Sequence, residues 1–315
     1  MTRRDSLTDV PGLAVGHAEV PGGGSGCTVI LGPFRARVDR RGPATGSREL
    51  EALREEHPVP RAEALLLTGG SAFGLAAADG VVEWLEAAGR GYQTRVARVP
   101  IVPAAVVYDL APGRARPGRT EGRKACEAAS QSPVAEGSRG AGTGTTVGKL
   151  FGIEQASRGG VGSSSLRVSG WTVGALVVVN AVGDVLADGC VAAGPRAGTP
   201  DSEITRRALE GSDLGGAGEE GDTGPGAMEN TTLAVVATDA PVDDPGLVKV
   251  ARLASTALAR RISPVHTPFD GDLTFALSTA EHGDRLEARR LLLLGLAARE
   301  ALETAILRAV GGERS

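Results

Sequence analysis

The residues best suited to chemistry in this chain stand where a loop rich in glycine and acidic residues meets an apolar strand. The chain there reads Gly224-Pro225-Gly226-Ala227-Met228-Glu229-Asn230-Thr231-Thr232, and the apolar run 233–237 follows. If the bond between Asn230 and Thr231 is cut, Thr231 becomes a chain terminus with a hydroxyl and a free amine. A threonine nucleophile activated by its own N-terminal amine is an established arrangement. The alternative is that Thr231 and Thr232 simply begin a strand after a loop.

An α-amino group suits this hydroxyl as a base. The chain has only four histidines, so conventional bases are few. The pKa of an α-amino group is about 8, so much of it is neutral near that pH and can accept the threonine proton. A nearby lysine would lower this pKa by like-charge repulsion. The same hydroxyl could cut the junction by attacking the Asn230 carbonyl, which gives an ester that water opens.

Composition limits the class of protein. The 315 residues fit one large domain or two ordinary ones, and the net charge of −4 with no basic run argues against a nucleic-acid partner. No apolar segment follows the N-terminal arginines, so neither a signal peptide nor a membrane span is expected. Cys27, Cys126 and Cys190 lie far apart without metal-like spacing, which favours reduced thiols in the cytoplasm. We expect no metal and no cofactor.

Apolar runs predict alternating strands and helices. We expect strands over 64–68, 172–179, 232–238 and 272–278. We expect helices over 72–88 and over about 284–310, and a third helix that begins with Asp244 as its cap and Pro245 in its first turn. Residues 194–230 are rich in Gly, Asp, Glu, Ser and Pro and are predicted to be a linker, apart from a short helix around 203–209. Such a linker would leave the junction free to react.

Three glycine-rich segments resemble known motifs but fail on spacing. In Gly142-Thr143-Gly144-Thr145-Thr146-Val147-Gly148-Lys149-Leu150, Thr143 stands where a phosphate-binding loop requires its first glycine, and Leu150 stands where it requires Ser or Thr. In Gly69-Gly70-Ser71-Ala72-Phe73-Gly74, the last glycine comes one residue too late for a serine-hydrolase elbow. Residues 158–165 do not follow a strand in a dinucleotide-binding unit, and we interpret them as a surface loop.

A lysine and two aspartates are further candidates. Lys149 is one of three lysines among 34 basic residues and lies in a loop of glycine and threonine, where it could donate to an oxyanion or shift a neighbouring pKa. The alternative is a solvated loop lysine. Asp270 and Asp272 are two apart at a strand start, so both could reach one cation, such as an ammonium at Thr231. An Asp-Gly-Asp turn is the alternative, and His266 nearby is interpreted as a packed or loop residue.

Six features of the sequence belong together by their order along the chain. They are Leu7-Thr8-Asp9-Val10-Pro11-Gly12-Leu13-Ala14-Val15-Gly16-His17, Gly26-Cys27-Thr28-Val29-Ile30-Leu31, Leu67-Thr68-Gly69-Gly70-Ser71-Ala72-Phe73-Gly74-Leu75, Gly144-Thr145-Thr146-Val147-Gly148-Lys149, the strand end at Asn180, and the junction. Together they resemble the DmpA family of self-processing aminopeptidases and amidases, in the family's order and over nearly the whole chain except the linker. Within that family, Asn-Thr at the junction and the two aspartates of Pro268-Phe269-Asp270-Gly271-Asp272 are most similar to the nylon-oligomer hydrolases of the NylC type.

The resemblance implies an α+β fold, a four-layer αββα sandwich similar to N-terminal nucleophile hydrolases. It implies one hydrolase domain over 1–315, cut between Asn230 and Thr231 into chains 1–230 and 231–315, and a homo-oligomer of cleaved pairs. The roles it implies are nucleophile and base for Thr231, oxyanion donor for Asn180, electrostatic bias from Lys149, a hydroxyl contact from Tyr108, and positioning of the Thr231 amine and hydroxyl by Asp270 and Asp272.

The expected function is therefore a self-activating amide hydrolase that forms an acyl-enzyme on Thr231. The substrates implied by the resemblance are short peptides, amino-acid amides and related oligoamides. Two alternatives remain open at this point. One is acyl transfer similar to that of ornithine acetyltransferase, which would exchange acetyl groups without net hydrolysis. The other is an uncleaved binding protein in which Thr231 has no free amine.

Overall fold

The computed structural model describes residues 6–59, 61–195, 197–210 and 230–311. Its strands are β1 (Ala14–Glu19), β2 (Gly26–Arg40), β3 (Ser47–Arg48), β4 (Ala62–Thr68), β5 (Tyr92–Gln93), β6 (Arg98–Val99), β7 (Ala104–Val106), β8 (Thr146–Val147), β9 (Ser157–Arg158), β10 (Gly160–Val168), β11 (Trp171–Asn180), β12 (Asp184–Ala187), β13 (Cys190–Ala193), β14 (Thr231–Thr238), β15 (Ile262–Ser263) and β16 (Leu273–Ser278). The helices are α1 (Ser71–Gly74), α2 (Ala77–Ala87), α3 (Arg119–Glu127), α4 (Asp201–Leu209), α5 (Asp244–Arg261) and α6 (Ala288–Val310).

The long strand β2 joins two halves of the main sheet. The hydrogen-bonded order is β10-β11-β14-β16-β2-β4-β7-β3, and β1 pairs with β2 off this path. Residues 35–40 of β2 pair with β16, whereas residues 27–34 pair with β4, and the register shifts between Leu31 and Phe34. One continuous strand therefore contributes to both sheets of a sandwich.

Three apolar clusters define the layers. The central cluster lies between the two half-sheets and includes Ile30 and Leu65 from one half with Val178 and Phe275 from the other. A second cluster packs the outer face of β11, β14 and β16 against α5 and α6. A third packs β2 and β4 against α2 and α3. The order helix, sheet, sheet, helix confirms the four-layer αββα expectation.

Strand β14 lies inside the sheet, where it positions the predicted junction. It pairs antiparallel with β11 and parallel with β16, so its first residues lie beside the last residue of β11 and the segment that leads into β16. All eight residues of β14 are buried. The β-branched and small apolar side chains of this run suit a strand packed on both faces.

Several elements differ from the sequence-based expectation. The helix predicted over 72–88 is divided into α1 and α2 between Gly74 and Ala77, and the last helix begins at Ala288 rather than near 284. The cap of α5 is Asp243, not Asp244, because the Asp243 side chain accepts from the Gly246 N–H at 2.9 Å. The interpretation of 158–165 as a surface loop was wrong, because residues 160–164 are a buried part of β10 that packs on α6.

The predicted linker is only partly described. Its short helix is present as α4 (Asp201–Leu209), while residues 211–229 and Arg196 lie outside the described residues. The described residues resume at Asn230. Within the described ranges, no helix has both the length and the hydropathy needed to cross a membrane.

Candidate active site

The predicted junction lies at the edge of the sandwich with both of its residues buried. Asn230 forms an isolated bridge with Asp270, and Thr231 begins β14 opposite Asn180, the last residue of β11. Thr231 is 6% exposed. Two strand ends and the segment before β16 therefore meet around the Asn230–Thr231 bond.

The carbonyl oxygen of Asn230 accepts two hydrogen bonds from this surrounding. The Thr231 hydroxyl donates to it at 2.6 Å, and the Gly271 N–H donates to it at 2.9 Å. A side chain at Gly271 would not fit, because a Cβ there would lie 2.7 Å from the Thr231 Oγ1 and 2.7 Å from the Ala44 oxygen. The arrangement places a hydroxyl at the peptide carbonyl that precedes it and an N–H where negative charge on that oxygen would develop.

Asn180 connects Thr231 to the glycine-rich loop. Its Oδ1 accepts from the Lys149 Nζ at 3.1 Å and from the Thr146 N–H at 3.1 Å, and its Nδ2 donates to the Tyr108 carbonyl at 3.0 Å. Lys149 also donates to the Asn180 backbone oxygen at 3.4 Å. These contacts fix which way the Asn180 amide faces and place the ammonium of Lys149 beside the strand end that pairs with Thr231.

Asp272 binds the backbone at the start of β14. Its Oδ1 accepts from the Thr232 N–H at 2.7 Å, and its Oδ2 lies 2.9 Å from the His266 Nδ1. The His266 N–H also donates to Oδ2, at 3.3 Å. Asp272 is 1% exposed, so its side-chain oxygens depend on these contacts rather than on water for hydrogen bonds.

Asp270 is the second buried carboxylate of the site. Its Oδ2 accepts from the Thr267 N–H at 2.7 Å. Desolvation by burial, followed by the charge of Asp272, raises the pKa of Asp270 to about 6. Asp270 therefore holds its proton to a higher pH than an exposed aspartate would.

The structure brings together most of the residues singled out from the sequence. Thr231, Asn180, Lys149, Asp270 and Asp272 surround the junction. Tyr108 also reaches it, because its backbone carbonyl accepts from the Asn180 Nδ2 at 3.0 Å.

Sequence reasoning missed two participants, Gly271 and His266. Gly271 carries no functional side chain, and only its position between two candidate aspartates marked it. His266 lies in a loop, as interpreted, and its ring also contacts Asp272. Within the described part of the chain, no group of His, Cys, Asp or Glu side chains is arranged to hold a metal ion.

Comparison with known protein families gives a match over almost the whole chain. The model of peptidase family S58 matches residues 5–313. This chain belongs to peptidase family S58. The resemblance to the DmpA family of aminopeptidases and amidases is thereby confirmed, and as an S58 member the chain is a hydrolase of peptide or amide bonds.

Named relatives of this S58 chain fall into two groups. A protein of Mycobacterium leprae (strain TN), called an uncharacterized aminopeptidase, is 41% identical over 87% of this chain and 78% of its own. A 6-aminohexanoate-oligomer endohydrolase of Kocuria sp. (strain KY2) is 32% identical over 89% of this chain and 77% of its own.

Two solved structures share the fold of this S58 chain. A β-aminopeptidase of Burkholderia sp. superposes with a TM-score of 0.68 at 25% identity, over 98% of this chain and 86% of the other. An aminopeptidase of Ochrobactrum anthropi, described as a variant of the Ntn hydrolase fold, superposes with a TM-score of 0.71 at 24% identity, over 97% and 85%. These likenesses agree with the four layers described above.

Proposed function

We propose that this chain is a self-activating N-terminal threonine amide hydrolase that cuts itself between Asn230 and Thr231. The observation that carries the proposal is the Asn230 carbonyl oxygen, which accepts from both the Thr231 hydroxyl and the Gly271 N–H. This convergence of a hydroxyl and a backbone N–H on one buried peptide carbonyl supports the proposal, because self-cleavage needs a nucleophile and an oxyanion donor there.

Self-cleavage would proceed as an acyl shift followed by hydrolysis. The Thr231 Oγ1 attacks the Asn230 carbonyl carbon, and the Gly271 N–H stabilises the negative charge on the carbonyl oxygen. The bond from that carbon to the Thr231 nitrogen breaks, and the hydroxyl proton ends on the departing nitrogen. Water then opens the ester, which leaves a carboxylate on Asn230 and a free amine and hydroxyl on Thr231.

Hydrolysis of a substrate would use the same hydroxyl with a new base. The free Thr231 amine accepts the hydroxyl proton as Oγ1 attacks the substrate carbonyl carbon. Asn180 acts as a donor to the resulting oxyanion, in an orientation set by Tyr108 and Lys149. The substrate's amine then leaves with a proton, and water hydrolyses the acyl-enzyme to release the acid and restore Thr231.

The charged residues around Thr231 would adjust the pKa of its amine and position the new chain terminus. The ammonium of Lys149 favours the neutral form of the Thr231 amine by like-charge repulsion. Asp270 and Asp272 hold the new terminus, since the Asp272 carboxylate already binds the Thr232 N–H and the backbone of Asp270 pairs with that of Asn230, which places its side chain near the junction. His266 positions Asp272 through the contact with Oδ2.

We propose short peptides, amino-acid amides and related oligoamides as substrates. The mycobacterial relatives called aminopeptidases and the relatives called 6-aminohexanoate-oligomer endohydrolases support this class. The test is to incubate the cut protein with alanine p-nitroanilide, stop with acid, and measure the mass of the 231–315 fragment. We expect release of p-nitroaniline and a fragment heavier by one alanyl group. Release without the adduct, or transfer to an added amine without net hydrolysis, would contradict the proposal.

The cut chain is proposed to remain one hydrolase domain. Fragment 231–315 would contribute β14 and β16 to a sheet whose neighbouring strands β11 and β2 belong to fragment 1–230, so separation would expose the buried core. We further propose a cytoplasmic homo-oligomer of such pairs. The free state of Cys27, Cys126 and Cys190 supports a reducing compartment. Light scattering of the native protein checks the assembly.

A further inference from the structure

A cleft lies next to the candidate site. Its volume is about 320 Å³, and Gly24, Arg114, Ser138, Thr143, Thr146 and Arg158 are among the residues that line it. The cleft is close to the reacting bond, because the Thr146 N–H donates to Asn180, and Asn180 pairs with Thr231. It includes part of the glycine-rich loop that fails as a phosphate-binding motif, so that loop still has an unassigned role.

The two arginines give this cleft a positive charge. Arg158 is the cross-strand partner of Thr146 between β9 and β8, and both residues line the cleft. The Arg114 Nη1 donates to the backbone carbonyl of Asp109 at 3.0 Å, and this contact positions the Arg114 side chain. No Asp or Glu is among the residues that line the cleft. In the described ranges, neither arginine takes part in a salt bridge.

A buried carboxylate lies behind the lining of this cleft. The Asp109 Oδ1 accepts from the Gly70 N–H at 2.6 Å, its Oδ2 lies against the backbone of Gly144, and its charge interacts with that of Arg114. Burial also raises the pKa of Asp109, so it neutralises the arginines less than an exposed carboxylate would. Two guanidinium groups in a cleft without acidic lining suit a planar anion, since each can donate two parallel hydrogen bonds to a carboxylate.

We propose that this cleft is a subsite for a carboxylate on the amine half of the substrate. The preferred substrates would then be short peptides or oligoamides with a free carboxyl terminus, in preference to neutral amides of the same length. This inference rests on the proposed function and narrows its substrate class. Arg158 and Arg114 act as specificity residues, while Thr231 and Asn180 act on the bond.

The test compares alanylglycine with alanylglycinamide, which differ only in the terminal charge. Release of alanine reports cleavage of the same bond in both. We expect wild type to favour alanylglycine, and Arg158→Gln to lower kcat/KM for alanylglycine about tenfold. The value for alanylglycinamide should stay within about twofold, as for an ordinary surface substitution. Arg114→Gln should act in the same direction, and added salt should reduce the preference because the site is open to solvent.

Arg167→Gln is the matched control. Arg167 is an exposed arginine on β10, near the end of the strand that lies away from Gly160 and the cleft. It should leave both substrates unchanged. Self-cleavage needs no external substrate, so it should proceed normally in all three variants. Measuring it therefore tests the proposed self-activating hydrolase separately from the carboxylate subsite.

A wild type that cuts itself but hydrolyses both dipeptides equally, or an Arg158→Gln variant with equal losses on both, would overturn the subsite and leave the proposed hydrolase standing. A wild type that self-cleaves but hydrolyses neither dipeptide nor any simple amide would overturn both.

Discussion

The hydroxyl of Thr231 donates to the carbonyl oxygen of Asn230 at 2.6 Å, across the peptide bond that joins the two residues. This contact is buried, and the Gly271 N–H approaches the same oxygen at 2.9 Å. The sheet itself creates the geometry, because β14 begins between the end of β11 and the segment before β16. The reactivity we propose for the junction therefore depends on backbone positions as much as on side chains.

Gly271→Ala should block or strongly slow self-cleavage. Its Cβ would lie 2.7 Å from the Thr231 Oγ1, so the hydroxyl or the Gly271 N–H must move away from the Asn230 carbonyl. Loss of one oxyanion donor alone slows a reaction about 100- to 1000-fold. Intact mass against time measures the rate. Gly118→Ala is the control, because a Cβ there would meet nothing closer than 3.8 Å, and a Gly271→Ala variant that cuts as fast as this control would contradict the role.

Asn180→Asp should impair hydrolysis of substrate. Aspartate keeps the Oδ1 acceptor for Lys149 and Thr146 but lacks the Nδ2 donor. We expect kcat per mole of cut chain to fall about 100-fold or more, as for other oxyanion donors. Thermal unfolding of the variant checks that the fold is retained. Wild-type kcat in Asn180→Asp would show that the amide nitrogen gives no stabilisation to the transition state.

The uncut chain should become less stable as pH rises through the range in which Asp270 ionises. Its folded-state pKa is raised to about 6 by burial and by Asp272, whereas an unfolded aspartate titrates near a pKa of about 3.9. The folded state therefore binds more protons between these values, so the free energy of unfolding falls with rising pH across that window, by on the order of 2 kcal/mol.

The measurement is urea unfolding of Thr231→Ala from pH 4 to pH 7, beside Thr231→Ala with Asp270→Asn. The first variant stays uncut and keeps the carboxylate, and the second should lose this part of the pH dependence. Parallel profiles for the two proteins would rule out a raised pKa at Asp270.

His266→Asn should slow self-cleavage by a modest factor, about 3- to 10-fold, because it removes one ring contact to Asp272 worth about 1 kcal/mol. The Thr232 N–H still binds Asp272 Oδ1, so the effect should be smaller than that of Gly271→Ala. Asparagine also tolerates the left-handed backbone of this position, where φ is +55°. His282→Asn, at an exposed loop histidine, should cut at the wild-type rate, and an equal effect of both substitutions would contradict a positioning role.

The sequence predicted the strands that meet at the candidate site better than the contacts between them. Strands β11 and β14 were predicted within one residue of their observed ends, because β-branched and apolar residues run unbroken up to Asn180 and from Thr232. Thr231 was singled out at the loop-to-strand junction, Asp270 by its spacing from Asp272, and Lys149 by the rarity of lysine, and their catalytic roles stay predictions. The four layers followed only from family resemblance, since periodicity does not say which strand pairs with which.

The parts that escaped prediction depend on long-range contacts. Gly271 reaches the Asn230 carbonyl because two distant segments cross, and no local pattern encodes that N–H. His266 acts across a turn on Asp272, and Tyr108 contributes a carbonyl that any residue could supply. The strand over 160–168 was missed because glycine and serine have low strand propensity, although in the fold they let α6 approach closely, where a Cβ on Gly160 would lie 2.5 Å from the Ala309 oxygen.

The most direct test of the account is the intact mass of freshly purified protein under denaturing conditions, with Thr231→Ala as the control, after long incubation at neutral pH. We predict that wild type gives two species with the masses of residues 1–230 and 231–315, and that Thr231→Ala gives one species of full length. A single full-length species from both proteins, or the same two fragments from Thr231→Ala, would contradict self-cleavage by Thr231.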